Sequence, residues 1–545
     1  MTAQFRRLLL LASIAALSTL PPFGLSAPSQ ETTENKTEHT GIADTADSSK
    51  NMTHTTTHPD AQWFGNAAFG LLINWDIASL PGALNTSGSM IPGRALAAKT
   101  ITDPAERARI DRESDYNLDG KPNSITPNQY WSLAAQFNPK PPTYYGERDK
   151  WALTADNWAL TLGHAGFNYV ILTARNQGGF ALWPSASGNF DTKNFMGGRD
   201  LLKSCVENFQ SYDIKIGFYY SLSDWHFDRD YKNFLDEDAA KRNPWLPSLD
   251  ADLKPRDPAA AHTPEEIAAH KAAYAAHLRT QIRELLTRYG KIDLLWLDGE
   301  PEGITNPDDI ITIDEIRKLQ PGIVIYSRFH NTCDYTAFEN DLPATRPRGN
   351  NWAEFRDTWN NPDTGRFRAP GYILGRLAQC RAWGINYLLR VSITKDGELS
   401  PAFSANLATI TGWMRADNDY TIFSAEPLPK GETASTYATA LVTLGGEYQR
   451  RFLFVTPAFK PADQPYPQNQ LPPVDEILTI SGVKRPCRVS FLSPRDPLDY
   501  TYDTATRTIR IKLPVTRPAK LERPGDFRTK LVDVVEVELT PPLLE

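Results

Sequence analysis

The sequence predicts an α/β domain through the middle of the chain and an all-β domain at its C-terminal end. Three observations carry that prediction. Short apolar runs rich in β-branched and aromatic residues alternate with helical stretches between Phe69 and Leu389. A long Ala-, Leu- and Arg-rich stretch, Thr263 to Tyr289, leads straight into the apolar run Leu294 to Asp298 and a glycine turn at Gly299. After Leu428 the helical pattern stops, and Thr-, Val- and Pro-rich alternating segments take over.

Taken in order, the chain begins with Arg6 and Arg7, an apolar run from Leu8, and small residues at Ser26 and Ala27. This is the pattern of a secretory signal peptide over residues 1–27, and it implies a secreted or periplasmic protein. The run is short for a bilayer span and is broken by Pro21 and Pro22, so a membrane anchor is the weaker reading. Residues 28–58, rich in Thr, Ser, Glu and Asp, read as a disordered linker. In the α/β domain, residues 59–428, strands are expected at Phe69 to Asn74, Tyr169 to Ala174, Ile216 to Ser221, Leu294 to Asp298, Ile323 to Tyr326 and Ile385 to Leu389. Thr263-Pro264-Glu265-Glu266 is a helix start. In residues 429–545 the segments YATALVTL, RFLFVTP, RVSFL and TRTIRIKL alternate as strands do, which predicts a β-sandwich of two packed sheets. An accessory fold covering one side of the α/β domain is the preferred reading of this region over an independent sugar-binding module.

The chain has 545 residues, 41% of them hydrophobic and 23% charged, with a formal charge of −7, as in an ordinary soluble globular protein. No dense basic patch interleaved with aromatics occurs, which argues against nucleic acid or an anionic membrane as partner. No later segment is long and apolar enough to span a membrane. The four cysteines, Cys205, Cys333, Cys380 and Cys487, lack metal-type spacing and are too few for a disulfide scaffold. They read as buried thiols, with a Cys333 to Cys380 bridge as the alternative.

In DYNLDGKPNSIT, Asp115, Asn117 and Asp119 alternate ahead of Gly120, as in a calcium loop of the EF-hand or dockerin type. Thr126 stands where the final bidentate carboxylate would be. Structural calcium and a polar Asx turn are the two readings, the turn preferred.

The run LLWLDG, Leu294 to Gly299, delivers one carboxylate, Asp298, onto a turn at the end of a strand, where parallel barrels place their chemistry. Alone, it reads more readily as a solvated Asp capping the following turn. Around it, in order, stand WFGNAAFGLLINWDIASLPG, WALTLGHAGFNYVILTARNQGGFALWPS, IKIGFYYSLSDW, QPGIVIYSR, DYTAFE and GINYLLRVSITKDGELS. This ordered set resembles the α-L-fucosidase family of retaining glycoside hydrolases from about Asp60 to Ser424. The resemblance implies a (β/α)8-like barrel followed by a β-sandwich. It also implies an exo-acting enzyme on an oligosaccharide or glycoconjugate, with no cofactor required for catalysis.

Retaining glycosidases use two carboxyl groups about 5–5.5 Å apart, one as nucleophile and one as acid and then base. By the resemblance, Asp298 is the nucleophile and Glu339, the acid of DYTAFE, the acid/base; a surface Glu before a turn is the bland reading of Glu339. A general acid is expected to have its pKa raised toward ~6 by apolar surroundings and a neighbouring negative charge. Arg328, at the end of IVIYSR, stands where the family has an arginine near the acid. Trp296, two residues before Asp298, should share its face and could pack on a deoxy sugar or simply fill the core. Trp183 and Tyr220 are weaker pocket candidates.

The chain departs from the family at three histidines. Where the family has His-Trp-Gly and His-His-Asp-Gly, this chain has Asn74-Trp75-Asp76 and Asn176-Gln177-Gly178-Gly179, and the family's Glu-Trp-Tyr segment is not recognisable. Amides still donate and accept, so Asn74, Asn176 and Gln177 can hold a sugar, but with altered recognition. Three readings follow: an α-L-fucosidase in the strict sense, the same mechanism on a related L-configured glycoside, or a non-catalytic carbohydrate-binding protein. Retention of both carboxylates favours an active hydrolase.

Overall fold

The structure is a computed structural model that describes residues 55–80, 126–139, 155–234, 247–339, 342, 352–359, 367–397, 399–442, 449–456, 477–514 and 531–539. The signal segment, most of the linker and the Asp115 to Asp119 loop lie outside the described residues.

Nine strands form one sheet: β1 (Phe69–Asn74), β2 (Tyr169–Arg175), β3 (Lys215–Ser221), β4 (Leu294–Asp298), β5 (Val324–Ser327), β6 (Thr332–Cys333), β7 (Tyr335–Glu339), β8 (Trp352–Thr358) and β9 (Asn386–Ser392). Their order is β6-β5-β4-β3-β2-β1-β9-β8-β7, and every pair is parallel except the short β6, which returns antiparallel to β5. Eight parallel strands thus curl into a nearly closed barrel. Asp334 pins the seam between β5 and β7: its N–H donates to the Ile325 carbonyl at 2.9 Å, and its side chain accepts from the Ile325 N–H at 2.7 Å and from Arg317 at 2.9 Å. The expected α/β barrel is therefore present, with β7 and β8 as strands the sequence pattern did not mark.

Period two sorts the strand residues. Leu72, Ile171, Leu294, Trp296, Val324, Tyr326, Tyr335 and Leu388 fill the barrel interior, while Leu71, Val170, Leu172, Leu295, Leu297, Tyr387 and Leu389 face the surrounding helices. The longest of these, α1 (Pro264–Thr287), opens on a complete capping box in which Thr263 and Glu266 satisfy each other's backbone N–H groups. It buries Tyr274, Leu278, Ile282 and Leu285 against the sheet.

Among the described residues the C-terminal strands make two antiparallel sheets, one of five strands built around Gln449–Val455 and Asp533–Glu538, and one of four built around Ile477–Ser481 and Thr508–Lys512. Leu453, Val455, Val535 and Val537 point between the sheets against Leu478, Ile480, Ile509 and Ile511. Phe452, Phe454 and Val534 alternate with them and join the core of the barrel domain. The five-stranded sheet is thus apolar on both faces, and it docks on the barrel. Trp413 ties the two by donating to the Val532 carbonyl at 2.7 Å. All four cysteines are free thiols; Cys205, Cys333 and Cys380 are buried, but Cys487 is exposed, against expectation, immediately before the sandwich strand Arg488–Phe491. Among the described residues no helix is long and apolar enough to cross a membrane.

Candidate active site

The inward positions at the C-terminal ends of the strands are polar, in contrast to the apolar layer beneath. Asp298 ends β4 in register with Ser221 of β3, and Trp296 lies one layer below it beside Tyr219. Tyr219 donates its hydroxyl to Asp298 Oδ2 at 2.7 Å. Burial and the Asp298 charge push the phenol well above its ordinary pKa, so Tyr219 stays a donor. Arg328 Nη2 stands 3.6 Å from Asp298 Oδ1, and both side chains remain open to solvent.

Glu339 ends β7 level with Arg356 of β8, and Arg356 donates to Glu339 Oε1 at 2.9 Å. The same buried guanidinium donates through Nε to Glu354 Oε1 at 2.9 Å and through Nη2 to the Tyr335 hydroxyl at 3.1 Å. Its central carbon lies over the Trp296 ring, 3.5 Å from the centroid, and over Tyr326 at 4.1 Å. Trp296 is therefore a platform for Arg356, 6% exposed, and no sugar can reach the ring face that the guanidinium covers. Glu354 is fully buried, receiving the Tyr169 hydroxyl at 2.7 Å as well.

The electrostatics of Glu339 run opposite to the expectation for an acid. Burial pushes its carboxyl up, but Arg356, Arg328 and Arg390 together outweigh burial and hold it below its ordinary value. Glu354, deeper in the barrel, goes the other way: burial dominates and raises it.

The amides gather on the opposite side of the mouth. Asn74 ends β1, and Asn176 follows β2; the Asn176 Nδ2 donates to Asn74 Oδ1 at 3.1 Å and to Asp76 Oδ2 at 2.7 Å. Gln177 is half-buried, its carbonyl accepting the Trp225 N–H at 2.8 Å. Two of the three expected pocket amides thus bond each other directly, with Asp76 anchoring Asn176.

A family model described as alpha-L-fucosidase matches residues 37–419. The chain belongs to the alpha-L-fucosidase family. Among curated relatives, the tissue alpha-L-fucosidase of Mus musculus is 22% identical over 501 residues, covering 87% of this chain and 92% of that one. The tissue alpha-L-fucosidase of Bos taurus is 22% identical over 395 residues, 68% of this chain and 70% of that one. Among solved structures, an alpha-L-fucosidase from Bacteroides thetaiotaomicron, trapped as a covalent intermediate with 2-fluoro-fucosyl fluoride, superposes with a TM-score of 0.58 at 17% identity over 90% of this chain and 98% of that one. A bacterial fucosidase bound to a monovalent iminocyclitol inhibitor gives 0.60 at 17% identity, with coverage of 90% and 98%.

Within this member of the alpha-L-fucosidase family, Trp183 and Tyr220 do not line the mouth. Both are wholly buried on the outer face of the sheet: Trp183 donates to Glu284 of α1 at 2.8 Å and Tyr220 to Gln281 at 2.9 Å. Tyr220 is one residue out of phase with Tyr219, and that residue decides which side of the barrel wall it faces. Sequence reasoning missed Tyr219, Arg356 and Arg390. Counting back two positions from Ser221 would have found the first, but nothing in the sequence announced β8. Among the described residues no group of three or more His, Cys, Asp or Glu side chains is arranged to hold a metal ion.

Proposed function

We propose that this protein is a secreted, retaining exo-glycosidase acting on an α-L-fucoside or a related L-configured glycoside, with Asp298 as nucleophile and Glu339 as acid and then base. The supporting observation is that both carboxylates end inward-facing parallel strands at one mouth, with Arg328 paired to Asp298 and acting electrostatically on Glu339. In the first step an Asp298 carboxylate oxygen bonds to the anomeric carbon while Glu339 gives its proton to the departing oxygen. In the second, water attacks that carbon, Glu339 takes its proton, and Asp298 is released. Tyr219 holds the Asp298 carboxylate by its second oxygen and so orients the attacking one.

The related-glycoside alternative draws on Asn74, Asn176 and Gln177. Neutral amides that bond one another present a different donor and acceptor set from imidazoles, so plain aryl α-L-fucoside should be a weak substrate. The test is a panel of aryl glycosides combined with trapping by 2-fluoro-fucosyl fluoride and peptide mapping. The expected result is a single glycosyl adduct on Asp298, absent from Asp298→Asn, which should be folded and inactive. An adduct on another carboxylate, or turnover by Asp298→Asn near that of the wild type, would overturn the assignment. Absence of turnover across the whole panel would favour a carbohydrate-binding protein.

A further inference from the structure

Resting on the hydrolytic site just proposed, we propose that the sugar entering this barrel carries an oxyanion, a carboxylate or a sulfate ester, and that Arg390 receives it.

Arg390 sits on β9 with the parity of Leu388, which fills the barrel interior, whereas Tyr387, Leu389 and Val391 face the helices. It is in register with Leu72 of β1 and with Thr358 of β8, one step below the level of Asn74. The guanidinium therefore stands at the mouth, on the wall between the amides and Arg356. Its charge acts on both Tyr219 and Glu339, on two other walls of the barrel, as an inward position requires.

The other two arginines of the site are committed to carboxylates. Arg328 lies 3.6 Å from Asp298, and Arg356 lies 2.9 Å from both Glu339 and Glu354. Arg390 is exposed, donates to the Thr358 hydroxyl at 3.2 Å, and has no carboxylate partner among the described residues. On the side of the mouth that holds Asp298 and Glu339, three guanidinium groups thus meet three carboxyl groups, Asp298, Glu339 and Glu354, while Asp76 lies on the opposite side, bonded to Asn176. The first chemical step begins with Glu339 protonated, which leaves at most two negative charges against three positive ones, since burial also pushes Glu354 toward its neutral form. The surplus falls on Arg390.

A surplus cation in a concave mouth recruits an anion, and a guanidinium presents paired donors that fit a carboxylate or sulfate. The amides nearby carry no charge to compete for it, and the carboxyl among them, Asp76, is buried, bonded to Asn176 at 2.7 Å and pushed by burial toward its neutral form. A substrate anion at Arg390 would also offset the positive field that holds Glu339 in its ionised form, and so favour the protonated acid that the reaction needs. An uncharged sugar cannot do this.

The experiment uses the purified full chain, with Arg390→Gln and Arg390→Lys. The substrates are an aryl α-L-fucoside, its ring-sulfated monoesters, and the analogue in which the C6 methyl is a carboxylate. One anionic class is expected to exceed the uncharged fucoside by about ten- to a hundred-fold in kcat/KM, the worth of a charge-assisted hydrogen bond. That preference should fall to near unity in Arg390→Gln and survive in part in Arg390→Lys. The sulfate and carboxylate arms identify which oxyanion is taken. Calorimetry with the free sulfated and carboxylated sugars gives binding separately from turnover. Equal or better hydrolysis of the uncharged fucoside, or a preference that persists in Arg390→Gln, overturns the inference and leaves the hydrolytic reading standing. Binding of the anionic sugar that depends on Arg390, with no turnover of any glycoside, supports anion recognition and removes the hydrolytic reading. Neither binding nor turnover overturns both.

Discussion

Replacing Arg356 by Met tests the electrostatic design of the barrel interior most directly, because one buried guanidinium joins Glu339, Glu354, Tyr335 and Trp296. The Arg356 and Glu354 side chains are 7% and 0% exposed, so removing the cation leaves a buried carboxylate without its counter-charge. Breaking a buried pair from one side costs about 3–5 kcal/mol, and loss of the stacking on Trp296 falls within that figure rather than adding to it. The pH dependence has a definite sign. In the wild type Glu339 is held below its ordinary value, so its contribution is present above the unfolded pKa and is lost as pH falls through the folded one. Glu354 is raised even with Arg356 present, so its contribution favours low pH. Without the guanidinium both carboxyls move up, and both then favour low pH. The gap in stability between wild type and Arg356→Met should therefore be about 3–5 kcal/mol near neutrality and shrink to about 1–2 kcal/mol near pH 4, where protonation removes the unpaired charge. Urea unfolding at both pH values, followed by tryptophan fluorescence, measures this. In parallel, the descending alkaline limb of kcat/KM should move to higher pH, because Glu339 keeps its proton longer. A loss below ~1 kcal/mol at neutrality, or the same loss at both pH values, would refute the reasoning.

Three other outcomes are expected. Glu339→Ala should slow glycosides with poor leaving groups far more than activated aryl glycosides, and azide should partly restore turnover; the same pattern in Glu302→Ala or Glu354→Ala instead would move the acid/base there. Tyr219→Phe removes the 2.7 Å hydrogen bond to Asp298 and should lower kcat/KM by about ten- to a hundred-fold while the circular dichroism spectrum is unchanged, and an unaltered kcat/KM would show the bond to be incidental. Trp183→Phe leaves Glu284 without one of its donors on the outer wall, so a loss of about 1–3 kcal/mol in urea unfolding is expected with kcat and KM within about two-fold of the wild type; a large rise in KM would return Trp183 to the pocket.

Much of this molecule was legible without coordinates where one physical signal dominated. The capping box at Thr263 and Glu266, the apolar runs that open the strands at Tyr169 and Leu294, and the alternation of the sandwich strand Ile477–Ser481 all declare themselves locally. The strands β7 and β8 did not, because YTAFE and WAEFRDT carry charges at inward positions where a core strand would carry Leu or Val. Those charges belong to the candidate site, and a polar inward position breaks the apolar pattern by which a core strand is recognised. Asp298 and Glu339 could be named from ordered motifs alone, but the expectation of an apolar setting for Glu339 could not anticipate Arg356, 17 residues away in sequence and 2.9 Å away in space.

The sequence by itself determined the order of an α/β domain followed by an all-β one and the strand that carries Asp298, since both depend on residue type and short-range spacing; the barrel and the amides Asn74, Asn176 and Gln177 in place of histidines were what the family resemblance implied. Only the tertiary structure decided which of Tyr219 and Tyr220 meets the carboxylate, that Trp296 lies beneath a guanidinium, and that Arg390 faces the mouth without a carboxylate partner among the described residues. Those outcomes depend on strand register and barrel closure, where a shift of one residue turns a side chain from the interior to the outer wall.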